Sequence, residues 1–186
     1  EFVKILNNAV DWLIDESPKL ERLDKKKRIH EEVDGALSPE NSRSLIEVGN
    51  DLEIDLVLSE PIIKQPLHIS FDHKGRLWVV QYSQYPDPAG LKRLSRDKVW
   101  RVAYDRMPPP PPHKSDSIYR GADKISIHED TNGDGIYDKH KIFADGLNMA
   151  TSVAHDGRGV WVTNPPYLLY YKDEDGDDIP DSKPIV

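Results

Sequence analysis

No cysteine occurs among the 186 residues, which excludes disulfides, zinc–thiolate sites and thiol nucleophiles and leaves the redox compartment unread. No apolar run approaches the roughly 18 residues that a membrane-spanning helix requires. No basic segment followed by an apolar core marks a leader at Glu1-Phe2-Val3. Concentrated positive charge is also scarce. The one basic cluster, Lys25-Lys26-Lys27-Arg28, is followed by Glu31 and Glu32 and reads as the solvated face of a helix, so no nucleic-acid partner is expected. What the chain does have is acid in two places. Its net charge is −8, and segments 129–138 and 173–181 hold ten acidic residues and no basic one, leaving 23 acidic against 25 basic elsewhere.

The first 35 residues carry helical signals. Phe2, Leu6, Val10 and Leu13 form one stripe, Ser17-Pro18 starts a second helix lined by Leu20, Leu23 and Ile29, and Ser38-Pro39-Glu40 starts a short third. From about residue 50 the period changes to two. Leu52, Ile54, Leu56 and Leu58 predict a half-buried strand ended by Pro61, and residues 67–71 and 76–81 predict a hairpin around His73-Lys74-Gly75. Residues 83–123 form an insertion rich in proline, tyrosine and arginine. Its run Pro108–Pro112 favours an extended polyproline segment, read as a stiff surface loop more than a partner's docking motif.

An internal repeat sets the architecture. Asp130-Thr131-Asn132-Gly133-Asp134-Gly135-Ile136-Tyr137-Asp138 recurs 43 residues later as Asp173-Glu174-Asp175-Gly176-Asp177-Asp178-Ile179-Pro180-Asp181. Ile125 and Ile127 match Leu168 and Tyr170; Ile142 and Phe143 match Ile185 and Val186. The turn His155-Asp156-Gly157-Arg158 before Trp161-Val162 answers the one before Trp78-Val79, one residue longer. The fold class expected is mainly β: a partial β-propeller of about two four-stranded antiparallel blades, residues 62–146 and 147–186, behind an N-terminal α-helical extension over 1–37. Two blades leave open faces, so the remaining blades, from the same gene or a second chain, are expected partners.

The acidic loops read as two calcium sites. Calcium takes six to eight oxygens, and oxygens at loop positions 1, 3 and 5 converge if the backbone turns after position 5. Those positions are Asp130, Asn132 and Asp134 in one loop and Asp173, Asp175 and Asp177 in the other. Gly135 suits the positive φ of the turn; Asp178 suits it less, which predicts a strained or weaker second site. Ile136 and Ile179 would offer backbone carbonyls while their side chains anchor the loops to the core. Asp138 and Asp181 would bind directly or through water, and Asp145 or water would supply a missing oxygen. Position 12 is Lys141 or Pro184 and not the glutamate of an EF-hand. Such residues also favour plain hairpin turns. Two copies in register, with three carboxylates in nine residues in the first and six in the second, repel themselves without a counter-ion, which favours the metal reading and a calcium-rich compartment, periplasmic or extracellular.

Seven histidines are scattered without a paired metal spacing, and no nucleophile elbow or phosphate loop occurs. His68 and His155 read as hydrogen-bonded structural residues, Trp78 and Trp161 as core. No catalytic or cofactor-binding residue is assigned.

The stretches Ser38-Pro39-Glu40, Leu56–Pro61, Gly75–Val80, Glu129–Gly135, Phe143–Leu147 and Leu168–Asp181 resemble, in order and spacing, the N-terminal part of a membrane-bound dehydrogenase family of planctomycetes and verrucomicrobia. The resemblance covers residues 38–186. It implies kinship with six-bladed glucose and sorbosone dehydrogenases that hold pyrroloquinoline quinone, hence a periplasmic sugar or alcohol oxidoreductase, often with a c-type cytochrome domain. No Cys-x-x-Cys-His haem motif is present, and the family's catalytic histidine is expected in segments beyond Val186. The other reading is a non-catalytic, calcium-stabilised module that binds carbohydrate or a protein.

Overall fold

The computed structural model describes residues 36–96 and 102–186. The helices expected over 1–35 lie outside the described residues, as does the tip of the insertion. The chain divides into two compact units between Ile54 and Asp55. In the first, Ser38 caps a six-residue helix, α1 (Pro39–Ser44), by accepting a hydrogen bond from the Asn41 N–H at 3.2 Å, with Pro39 at the helix start. The strand expected over 52–58 does not form. The segment is irregular, and Leu52, Leu56 and Val57 are exposed. Alternation states which side chains share a side, but a strand also needs a neighbour for its backbone groups.

The second unit is mainly β and antiparallel. Strands β1 (Pro66–Phe71), β2 (Leu77–Gln81), β5 (Asp123–Glu129) and β6 (Lys139–Leu147) form a four-stranded sheet in the order β1-β2-β5-β6. Strands β7 (Ser152–His155), β8 (Gly159–Asn164) and β9 (Tyr167–Lys172) form a three-stranded sheet. In place of its fourth strand is a single bridge. Tyr170 and Ile185 exchange both backbone hydrogen bonds, at 2.8 and 2.9 Å, and Pro184 beside them has no N–H to extend the ladder. The described residues therefore hold one complete four-stranded unit and one nearly complete, with no closed barrel or propeller ring among them.

Strand pairing corrects the alignment of the two turns. Trp78 faces Ser70 and Trp161 faces Ala154, so the tryptophans are equivalent, while Phe71 pairs with Leu77 as His155 pairs with Val160. Asp72 is thus the counterpart of Asp156, and the second turn is one residue shorter, not longer. Ile185 lies opposite Tyr170 as Lys141 lies opposite Ile127, one residue off the sequence match.

The core fills the space between the two sheets. Trp78, Val80, Ile125, Ile127 and Phe143 from the first meet Val153, Val160, Val162, Leu169 and Tyr171 from the second. Each buried side chain of this size contributes about 1.5–3 kcal/mol. Phe143 bridges the sheets, its ring 5.0 Å from Trp78 and 5.9 Å from Tyr171. Trp161 does not join this core; it is 40% exposed, because it lies on the far side of the second sheet. The insertion holds a short ribbon, β3 (Arg93–Arg96) with β4 (Val102–Tyr104). Its proline run is docked: Pro108 and Pro111 are buried, three residues apart as the polyproline period requires, and the Pro108 carbonyl accepts from the Tyr167 hydroxyl at 2.8 Å.

Candidate metal centres

Both acidic loops join the third strand of a sheet to its fourth position, the first after Glu129 and the second after Lys172. Most of their hydrogen bonds correspond. At position 1, Asp130 Oδ2 accepts from the Gly135 N–H at 2.8 Å, and Asp173 Oδ2 accepts from the Asp178 N–H at 3.2 Å. At position 3, Asn132 Oδ1 accepts from Asp134 N–H and Asp175 Oδ1 from Asp177 N–H, at 2.9 and 3.2 Å. At position 5, Asp134 and Asp177 each accept from the isoleucine two residues on, both at 2.8 Å. Asp138 and Asp181 turn back on the N–H of position 2, at 3.1 and 2.9 Å, while their own N–H groups bond the Glu129 and Lys172 carbonyls. Each loop is closed by its own side chains, and both turn left-handed at positions 4 and 6.

Position 6 carries the main difference. Gly135 has φ 86°, and Asp178 adopts the same left-handed region at φ 64°. Strain was expected at Asp178, and its φ lies in the region that an L side chain disfavours; its carboxylate is also clamped. Arg76, in the turn between β1 and β2, donates to Asp178 at 2.6 and 2.7 Å and to Asp72 at 2.8 Å. Asp72 also accepts from the Trp78 indole at 3.0 Å. Burial pushes the Asp178 carboxyl up, but the hydrogen bonds and charge of Arg76 outweigh it and hold it below the usual carboxylate range. Nothing in the local sequence announces this clamp, since its partners are 102 residues apart; an aspartate where the first loop has glycine was the one visible sign.

The second loop gathers Asp173, Asp175 and Asp177 so that one carboxylate oxygen from each lies within 4.8 Å of the others. Two ligands of one calcium ion, each about 2.4 Å away, can be at most about that far apart. Asp173 Oδ1 is buried and has no hydrogen-bond donor. Burial, followed by the neighbouring Asp178, Asp177 and Asp175, drives its pKa up, partly offset by the Asp178 N–H. In the first loop Asp130 spends both oxygens on backbone N–H groups, led by Gly135, which hold its pKa down. The Asn132 amide donates to Asp134 at 3.1 Å. These residues fit a hard cation better in the second loop than in the first.

Two expected contributions are absent. Ile136 and Ile179 are 60% and 56% exposed and do not anchor the loops to the core; their N–H groups do the positioning. Asp145 lies on β6 seven residues past Asp138, roughly 23 Å along an extended strand, and pairs with Arg120 at 2.9 Å. The Lys141 ammonium instead donates to the Asp177 carbonyl.

Of the histidines, His155 Nε2 lies 3.3 Å from the Ser70 hydroxyl and His68 Nε2 is buried without a partner. His128 is buried between Ser126 at 2.8 Å and His140 at 2.9 Å, and burial lowers its pKa to about 4. Among the described residues, no histidine ring is hydrogen-bonded to both a hydroxyl and a carboxylate.

The sequence profile of a family described as Domain of unknown function (DUF7133) matches residues 38–186. No curated protein matches the chain, and no solved structure does.

Proposed function

The chain belongs to the DUF7133 family, whose description assigns no activity, and from its own geometry we propose that it is a calcium-binding scaffold, its two sheets being consecutive blades of a β-propeller. One observation carries the reading. Two loops 43 residues apart share one hydrogen-bond pattern, and the second sets three carboxylates at ligand spacing around a buried oxygen without a donor. Asp173, Asp175 and Asp177, with Asp181 beside them, would hold the ion in the second loop; Asp130, Asn132, Asp134 and Asp138 would hold one in the first. Calcium there removes the repulsion that otherwise opens the turn. Two meandering sheets stacked face to face support the propeller reading, since such a sheet cannot bury both faces alone.

The resemblance extends this to the scaffold of a periplasmic sugar or alcohol dehydrogenase. Pyrroloquinoline quinone does not fit the described residues. The best-buried guanidinium, Arg76, is already spent on two carboxylates, and the cleft beside it is edged by Asp173 and Asp178, which repel an acidic quinone. The contribution of this stretch is therefore structural. A non-catalytic module binding carbohydrate or protein is the alternative, and dye reduction with calcium, the quinone and a panel of sugars separates the two. No helix among the described residues is long and apolar enough to cross a membrane.

Calorimetry on chelator-stripped protein tests the metal reading. Calcium should bind, and should raise stability by about 2.7 kcal/mol at a hundredfold excess over Kd. Asp173→Asn with Asp177→Asn should abolish the second site. Absence of both heat and thermal shift at millimolar calcium would sink it.

A further inference from the structure

Asn132-Gly133 is the one asparagine–glycine pair in the sequence. Both residues are exposed, whereas Asn148 and Asn164 are buried, and the exposed Asn41 and Asn50 precede Ser42 and Asp51. An asparagine can react with its own backbone, because the nitrogen of the next residue can attack the side-chain amide carbon. Glycine leaves that nitrogen unscreened, since it carries no Cβ. Two demands limit the reaction. The attacking nitrogen has to shed its proton, and the amide oxygen has to take up negative charge.

The first acidic loop meets both demands. Asp130 Oδ1 accepts from the Gly133 N–H at 2.7 Å, which sets a carboxylate on the proton that must leave. The Asp134 N–H donates to Asn132 Oδ1 at 2.9 Å, on the oxygen where charge develops. The Asn132 side-chain nitrogen donates in turn to Asp134 Oδ2 at 3.1 Å, so both ends of the amide are held. The Gly135 N–H, with smaller help from that of Gly133, keeps the Asp130 carboxyl below the usual carboxylate range against some desolvation. Asp130 is therefore an ionised acceptor even in mildly acidic water. The second loop lacks this arrangement: its position 3 is already an acid, Asp175, and Asp173 Oδ1 has no donor.

We infer that Asn132 is a self-modifying site, which closes on the Gly133 nitrogen to a succinimide with Asp130 taking the proton, and then opens in water to aspartate or isoaspartate. The Gly133 nitrogen bonds to Asn132 Cγ, the Cγ–Nδ2 bond breaks, and the proton taken from Gly133 departs on ammonia. Water then adds to either ring carbonyl and breaks that carbon's bond to the ring nitrogen. Nothing is oxidised or reduced; water is consumed and ammonia released. The aspartate product gives the first loop the same acids at positions 1, 3 and 5 as the second, while isoaspartate lengthens the backbone through position 3. The inference goes beyond the proposed function and does not rest on cation binding.

Peptide mapping by mass spectrometry tests it, on the full chain incubated with chelator so that cations do not enter. Trypsin releases Ile125–Lys139, in which Asn132 is the sole asparagine. That peptide should exchange its amide for an acid at least as fast in the folded chain as in the same chain unfolded in urea. From mildly acidic to neutral pH the folded rate should change little, because Asp130 takes the proton, while the unfolded rate should rise in proportion to hydroxide. Asp130→Asn should slow the folded reaction by at least about tenfold, a fraction of what an enzyme's positioned base supplies, and should restore the dependence on hydroxide. Circular dichroism verifies that this variant folds, and the wild-type pH profile tests the inference without it. An Asn132 that keeps its amide in the folded chain while the unfolded chain converts overturns the inference. So does a folded rate that climbs with hydroxide as steeply as the unfolded one.

Discussion

Arg76 and Asp178 share two hydrogen bonds, 2.6 and 2.7 Å long, that tie the turn of the first sheet to the acidic loop of the second. Their side chains are 12% and 16% exposed, and Asp72, which completes the cluster, is 3% exposed. Removing the cation leaves two poorly solvated carboxylates facing each other. Arg76→Met is expected to cost about 3 kcal/mol in a urea titration with chelator present, so that bound cations do not enter. Arg76→Lys should recover only part of this, because an ammonium cannot offer the planar fork that meets both carboxylates. An Arg76→Met cost within experimental error of zero would show the cluster to be a solvated surface pair.

Position 6 of the loops gives a paired backbone prediction. Gly135→Ala should cost about 1 kcal/mol, since φ 86° disfavours an L side chain while an added Cβ meets nothing within 4 Å. Asp178→Gly and Asp178→Ala both lose the arginine clamp, but glycine relaxes the φ of 64°. The alanine variant should therefore unfold at lower denaturant than the glycine one, by a similar amount. Equal midpoints for the two would mean the turn stores no strain.

The repeat, the loop positions and the hairpin of residues 66–81 were legible because each depends on local residue order: Gly or Asp where φ is positive, alternation where a strand is half buried. The failures share one cause. Alternation over 52–58 is as regular as over 67–71, yet no strand pairs with it. Ile136 and Ile179 looked like anchors, but whether apolar matter lies beneath a loop is a property of the packed structure. Two tryptophans at matching positions differ from 2% to 40% exposed, because one sheet is covered and the other is not. Partners distant in sequence, above all Arg76 and Asp178, leave no local trace.

Two buried groups set opposing pH dependences. Burial lifts the Asp123 carboxyl from 3.8 to about 6, despite hydrogen bonds from the Met149 and Ala150 N–H groups at 2.8 and 3.2 Å. Its folded state binds the proton more tightly than the unfolded chain, so this contribution is full below pH 4 and is lost as pH rises through about 6. His128 runs the other way. Burial, then His140 and Lys124, lower it from 6.5 to about 4, so the unfolded chain binds the proton more tightly, and its contribution is full above 6.5 and lost as pH falls towards 4. At 1.36 kcal/mol per unit each amounts to about 3 kcal/mol at most, with opposite sign. Between pH 4 and 6.5 Asp123→Asn should make stability rise more steeply with pH than in the wild type. His128→Gln should make it fall relative to the wild type. Parallel pH–stability curves for all three proteins would reject this assignment.

The equivalent tryptophans allow one hydrogen bond to be weighed in two settings. Trp78 donates to Asp72 at 3.0 Å from a position 2% exposed, and Asp72 holds Arg76 in turn. Phenylalanine at 78 keeps most of the apolar contact with Phe143 and deletes the donor, leaving a buried carboxylate oxygen less well satisfied. Trp161 answers it on the second sheet, where its indole is one of the groups that hold the Asp156 carboxyl low, after the Arg158 N–H and the Tyr170 hydroxyl. Asp156 is exposed, so water replaces a lost donor there. Trp78→Phe should cost about 1–3 kcal/mol and Trp161→Phe less than about 0.5, measured by denaturant titration of dilute protein in which any association is absent. Matching losses at the two positions would mean that burial of the carboxylate, and not the hydrogen bond's geometry, has been misjudged.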